Sequence, residues 1–209
     1  MYVPAANGVP DEAEARAMVA AAGAATVVTT GEDGYPRATL LPVRWVGDRV
    51  VAHLARANPH WREIADGAPC LLVVDGPQAY VSPGWYASKA EHGRVVPTWN
   101  DASVQLRGRA TVHDDPAWLR AVVTDLTDAH EGGRPDPWHV TDAPETYVAG
   151  QLRGIVGLEV LVEQVTAKAK LSQNRSDADR AGVVAGLAAS GDPRAAAVAA
   201  RMRRAPSPG

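Results

Sequence analysis

Residues 24–55, AATVVTTGEDGYPRATLLPVRWVGDRVVAHLA, decide the fold class. Three β-branched runs, AATVVTT, ATLLPVRWV and RVVAHLA, are parted by GEDG and by Gly47-Asp48. Valine and threonine are stiff at χ1 and suit a pleated strand better than a helix, while Gly and Asp at the breaks supply turn conformations. The stretch reads as a three-stranded meander. Just downstream, PCLLVVD and QAYVS, separated by Gly76-Pro77, read as two more strands. Five strands within about sixty residues leave no room for the crossover helices that a parallel sheet requires.

Working outward, Asp11 followed three residues later by Glu14 forms a capping-box pattern, and Ala15, Met18, Val19 and Ala22 then recur at helical spacing up to Gly23. Pro59 opens a short helical segment, PHWREIA. From Thr98 to His113 the chain alternates, with Val104, Leu106, Gly108, Ala110 and Val112 on one side and Gln105, Arg107, Arg109 and Thr111 on the other, as in a long half-buried strand. Asp115-Pro116 supplies an N-cap and an N1 proline for a helix whose Leu119, Val122, Val123 and Leu126 share a face. A helix over Glu145 to Leu152, a strand over Ile155 to Val162 and two Ala-rich helices follow, the second opening at Asp192-Pro193. The final RRAPSPG has the composition of a disordered end. The expected fold is mainly β with peripheral helices (α+β). It divides into a barrel domain over 1–166, a C-terminal KLSQNR motif and helical extension over 167–204, and a disordered tail over 205–209.

The composition excludes several function classes. With 46% hydrophobic and 22% charged residues in 209, the chain has the proportions of a globular domain. Its net charge of -3 is too weak for a protein that coats nucleic acid with its whole surface. Only the stretch from Lys168 onward is basic, with 8 Lys and Arg against 3 Asp. The single cysteine, Cys70, lies in the apolar run CLLVV and reads as a buried structural thiol. The N-terminus lacks a basic region and an apolar core segment, and no apolar stretch approaches the roughly 20 residues that span a bilayer. The expectation is a cytoplasmic protein with no membrane role. Walker A, GxGxxG, GxSxG and HExxH patterns are absent, and the six histidines show no metal-ligand spacing, so no metal and no catalytic residue is assigned. His130-Glu131 reads as a helix end with His complementing the dipole.

One positive signal is HLARANPHW, residues 53–61. A strand ends there and a helical turn begins, with Asn58 at the N-cap, Pro59 at N1, and Arg56 and His60 flanking free backbone N–H groups. That is an anion site in outline. The same spacing equally suits a plain Asn-Pro cap beside a solvated arginine, and spacing alone leaves both readings open.

The chain resembles the PaiB-type FMN-binding proteins, a family labelled negative transcriptional regulators. The resemblance rests on MYVP (1–4), HLARANPHW (53–61), GPQAYVSPGWYASK (76–89), VVPTWN (95–100), IVGLEV (155–160) and KLSQNR (170–175), in family order across nearly the whole chain. It implies an FMN-binding split β-barrel with C-terminal helices, a homodimer, and FMN in the cleft between subunits. The fold is also similar to that of the pyridoxamine-phosphate oxidase group. By that comparison the strand from Thr39 through Leu41 to Arg44 lays its backbone along the flavin ring, while His53, Leu54, Arg56, Asn58 and His60 surround the ribityl phosphate. Ser88 and Lys89 add donors. Trp99, Asn100 and Gln105 on the long strand, with Lys170, Gln173, Asn174 and Arg175 in the tail motif, complete the site from a second subunit. The chain departs from the family pattern at Ala169 and Asp101, where aromatic residues are usual.

Three functions are open to such a chain. A flavin-binding transcriptional regulator would use the basic C-terminal region against DNA or a regulatory protein. Two helices between Asp177 and Arg203 outline a helix-turn-helix, but the second opens Asp-Pro-Arg and continues in alanines, with few side chains to read base edges. An FMN-dependent oxidoreductase would act on a small-molecule substrate, with His53, His60 and Trp99 as the residues to test. A haem-binding or cofactor-free relative of the fold is the third.

Overall fold

The strand runs expected between residues 24 and 55 are present in the computed structural model, which describes residues 1–9 and 11–204, but they do not form a meander. β1 (Ala24–Thr30) and β2 (Pro36–Pro42) pair antiparallel along their whole lengths, from Ala24↔Pro42 to Thr30↔Pro36. The run ATLLPVRWV then breaks at Val43. Pro42 has no N–H to give a ladder, and the Val43 N–H turns to the carbonyl of Gly23 at 3.0 Å. β3 (Arg44–Val46) and β4 (Arg49–Ala55) form a second hairpin, and β4 pairs with β7 (Ile155–Lys170) from Arg49↔Leu161 to Ala55↔Ile155.

With β5 (Ala68–Val81) and β6 (Thr98–His113), seven strands among the described residues make one sheet in the order β2-β1-β5-β6-β7-β4-β3. Its two edges, β2 and β3, are separated in sequence by Val43 alone. A sheet whose opposite edges are joined by one residue has to curl back on itself, which the right-handed twist of strands favours. The result is a split β-barrel. Val27, Val50, Leu54, Leu72 and Leu158 are at most 2% exposed in its core, and each such side chain stabilises the fold by roughly 1.5–3 kcal/mol.

Two strands are longer than expected. Gly76-Pro77 does not interrupt β5: a Cβ at Gly76 would lie 2.9 Å from the carbonyl oxygen of Ala102, so the glycine admits a neighbouring backbone and the strand continues. β7 runs eight residues past Val162 to Lys170, because alternation resumes after the polar Glu163-Gln164, with Ala167 and Ala169 buried. The segment after Pro59 is a five-residue 3-10 turn, Pro59–Glu63, rather than a helix to residue 65.

The helices follow their caps. α1 (Glu12–Ala22) stops at Gly23, whose φ is +66°. α2 (Ser88–His92) is a short addition. α3 (Pro116–Glu131) starts at Asp115, whose carboxylate accepts the Trp118 N–H at 2.8 Å, and α4 spans Glu145–Leu152. α5 (Asp177–Ala189) and α6 (Pro193–Arg204) close the chain, so Arg203 and Arg204 of RRAPSPG are helical. The expected disordered tail, 205–209, lies outside the described residues.

The chain forms two compact units. A barrel unit comprises Arg16–Val74 and Gln105–Val165; a terminal unit comprises Met1–Ala15, Asp75–Val104 and the described residues from Thr166 onward. Cys70 in the barrel unit is 5% exposed and burial pushes its thiol pKa up to about 12, which makes it the inert structural thiol expected. No helix among the described residues is long and apolar enough to cross a membrane.

Candidate functional site

In the barrel unit, alternation along β2 turns Arg37, Thr39 and Leu41 to its more buried face, while Leu40 is 70% exposed on the other. Thr39 meets the Asn58 turn. The Asn58 side-chain oxygen accepts the His60 N–H at 3.0 Å, its amide reaches Thr39 Oγ1 at 3.4 Å, and the His60 ring bridges two hydroxyls: Nδ1 to Thr39 Oγ1 at 2.8 Å and Nε2 to Thr29 Oγ1 at 2.9 Å. His60 is 4% exposed, and burial depresses its pKa. A neutral imidazole is satisfied here because each threonine hydroxyl serves as donor or acceptor. Thr29 is not singled out by the sequence, since a threonine inside AATVVTT looks like any β-branched strand residue.

Arg56 does not join this cluster. β4 ends opposite the start of β7, at Ala55↔Ile155, and the guanidinium emerging there meets two loose carbonyls: Nε donates to Arg153 at 2.8 Å and Nη2 to Ile155 at 2.9 Å. The Asp114 carboxylate takes the remaining donors, and the pair shifts in concert, Arg56 up and Asp114 down. The anion site outlined by spacing therefore has its arginine committed elsewhere. Arg44 is likewise held two-pronged by Asp125 of α3, at 3.0 and 3.1 Å. Leu41 and Leu54 are core residues, and Gln105 is half-buried on β6.

His53 lies opposite Gly157. A Cβ at Gly157 would come within 2.1 Å of the Trp118 ring, which stacks on His113 with centroids 4.1 Å apart. The Nδ1 of His53 is buried without a hydrogen-bond partner among the described residues, and burial lowers its pKa. For His53 and His60 alike the folded chain resists a proton that the unfolded chain accepts near the ordinary value of 6.5. Stability is thus unaffected above that value and falls as pH drops below it, by at most about 1.4 kcal/mol per pH unit per histidine. Urea midpoints should decline between about pH 7.5 and pH 5.5, and a flat profile would contradict both assignments.

In the terminal unit, the KLSQNR turn is built around Ser172, whose φ of 60° is the one positive value at a non-glycine among the described residues. The Ser172 hydroxyl and the fully buried Asn100 amide bond each other, with Asn100 Nδ2 donating at 3.0 Å. Gln173 folds back on its own loop, accepting the Leu171 N–H at 2.6 Å and donating to the Ala169 carbonyl. Those residues shape the turn. Ser88 is spent on Asp179, to which both its N–H and its hydroxyl donate at 2.9 Å. Lys170 donates to the neutral Thr98 hydroxyl at 2.6 Å, and Arg175 lies 4.6 Å over the Tyr86 ring. Trp99 is 49% exposed and anchors its indole N–H on Gln78 at 3.1 Å, so it is not a core aromatic. Lys89 and Asn174 have no side-chain partner among the described residues. At the two departures from the family pattern, Asp101 pairs with Lys168 at 2.6 Å and Ala169 is buried.

A family model described as "Putative FMN-binding domain" matches residues 1–164. The chain belongs to this FMN-binding family. Over 206 residues it is 32% identical to the Protease synthase and sporulation protein PAI 2 of Bacillus subtilis (strain 168), covering 97% of this chain and 96% of that protein. Solved structures similar in fold include the conserved hypothetical protein Rv2991 from Mycobacterium tuberculosis (TM-score 0.61, 15% identity, 84% of this chain and 94% of that one) and the FAD and heme binding protein from Mycobacterium smegmatis (TM-score 0.59, 20% identity, 86% and 80%).

FMN is the family's cofactor, and the residues present fit it. β2 is an edge strand laddered on one side only, so its outward row of backbone N–H and C=O groups has no strand partner and matches the alternating donors and acceptors along a flavin's pyrimidine edge.

Proposed function

We propose that this FMN-binding protein is a cytoplasmic homodimer of the PAI 2 type that serves as a flavin-dependent regulator, with each flavin site shared between two copies. The observation that carries the reading is the free edge of β2, held at its centre by the Thr39–Asn58–His60 cluster. In this reading the flavin ring lies along Thr39 to Pro42, and Asn58 steadies the adjoining turn. Trp99, Lys170 and Arg175 of a second copy cover the ring and neutralise the phosphate. Reversible acceptance of electrons or hydride is the chemistry that flavin supplies. The chain's own role is to bind, orient and shield, since its buried histidine, His60, is held between two threonine hydroxyls.

The regulator reading is supported by the resemblance to the PaiB-type family and by full-length similarity to PAI 2, a protein named for protease synthesis and sporulation. Direct base readout is disfavoured, because α6 packs through Ala195, Val198, Ala199 and Met202 and its exposed arginines, Arg194, Arg203 and Arg204, stand at its two ends with only Ala196 and Ala197 exposed between them, so the middle of the helix has no side chain to read base edges. An oxidoreductase is favoured by one observation, a pocket of about 370 Å³ beside Trp99 walled by Tyr80 and Trp85. Flavin bleaching by NADH or NADPH under anaerobic conditions separates the two. Light scattering of flavin-loaded protein should give about twice 22.0 kDa. A mass near 22.0 kDa would overturn the shared site.

A further inference from the structure

A second cavity, of about 640 Å³, opens in the barrel unit between α3 and α4. That volume falls within the range of small-molecule sites. Its floor is apolar, formed by Leu119 and Leu152, both buried, with Ala117 and Ala149. Its rim carries three arginines, Arg56, Arg120 and Arg153. Two of the three charges are already answered, Arg56 by Asp114 and Arg120 by Glu145. Arg153 is exposed, and its guanidinium has no partner among the described residues.

We propose that this cleft binds a small apolar monocarboxylate, an alkyl or aryl acid whose carboxylate pairs with Arg153 and whose body lies on the Leu119–Leu152 floor. One uncommitted cation above an apolar floor matches one negative charge on an apolar body. A phosphate dianion would leave a charge unanswered, and an uncharged body would leave Arg153 unused. A flavin is a poor fit, because the cleft offers no neutral side-chain amide or hydroxyl to the ring's polar edge. A guanidinium meets a carboxylate two-pronged, which favours acids over other monoanions.

The test uses the FMN-loaded full chain and calorimetric titration with octanoate, octanol and octylammonium. Octanoate should bind at least about tenfold more tightly than octylammonium, and Arg153→Ala should weaken octanoate by about tenfold while leaving octanol unchanged. Ala149→Trp, placed in the floor, should block both octanoate and octanol at an unaltered FMN affinity. Equal binding of octanoate and octylammonium, no measurable octanoate binding, or an unchanged affinity in Arg153→Ala would overturn the proposal. So would competition between octanoate and FMN, since the cleft would then belong to the flavin site. Riboflavin and FMN titrations of the same variants keep a failure of the flavin reading distinguishable.

Discussion

Alanine at Gly182 should destabilise the protein by about 1–3 kcal/mol or more, although alanine is the better helix former by roughly 1 kcal/mol. Gly182 and Gly186 stand one turn apart on α5 and form the seat for Trp85. A Cβ at Gly182 would lie 2.0 Å from the Trp85 carbonyl oxygen, and one at Gly186 would lie 2.3 Å from its indole ring. Real Cβ atoms do not approach backbone oxygen so closely, and a carbonyl cannot swing aside as the end of a side chain can. Either α5 lifts from the 3-10 turn Pro83–Trp85, or the turn unwinds. For a chain of this length such a loss lowers the melting temperature by roughly 2–12 °C. Gly133→Ala is the control, since nothing lies within 4 Å of its added Cβ and its φ is not positive. Gly182→Ala melting together with Gly133→Ala would show that Trp85 does not occupy this seat.

The sequence announced the strands of the barrel and the starts of its helices, because both depend on neighbours in sequence. The β-branched runs gave β1 and β4, and Asp115-Pro116 and Asp192-Pro193 opened α3 and α6 where expected. What it did not disclose was pairing. The break at Val43 is invisible in ATLLPVRWV, since only the closure of the barrel makes one residue the hinge between opposite edges of a sheet. Gly76-Pro77 misled for a related reason: a glycine that admits a neighbouring backbone carries the same letter as one that turns the chain. The site was half legible. HLARANPHW marked the Asn58 cap correctly, but the direction of Arg56 depends on Asp114, far away in sequence, and on the carbonyls at the start of β7. No spacing within the motif encodes that. The same holds for Thr29, which reaches His60 only because the strand and the turn are folded together.

The charges of the candidate residues lead to an expected contrast between two arginines. On motif alone, Arg56→Ala should weaken FMN and spare riboflavin, as loss of a phosphate contact would. In the folded chain, however, Arg56 already has a carboxylate and two carbonyls as partners, and recruiting it to a phosphate would require displacing Asp114. Arg175 and Lys170 have no carboxylate hydrogen-bonded to them among the described residues: Arg175 lies over the Tyr86 ring and acts on Asp179 only through space, and Lys170 donates to a neutral hydroxyl. The phosphate is therefore expected to be answered by the KLSQNR cations. Arg175→Ala should weaken FMN by about ten- to a hundredfold, the worth of one charge-assisted hydrogen bond of roughly 1.5–3 kcal/mol, and Lys170→Ala by a similar factor. Riboflavin, which lacks the phosphate, should be nearly indifferent to both. Arg56→Ala should instead free Asp114 and the carbonyls of Arg153 and Ile155, loosen the junction of β4 and β7, and reduce both ligands to the same modest extent. Fluorescence titration of FMN and riboflavin into the three variants decides between the assignments. An FMN-selective loss in Arg56→Ala, with Arg175→Ala and Lys170→Ala unaffected, would return the phosphate to the Asn58 turn.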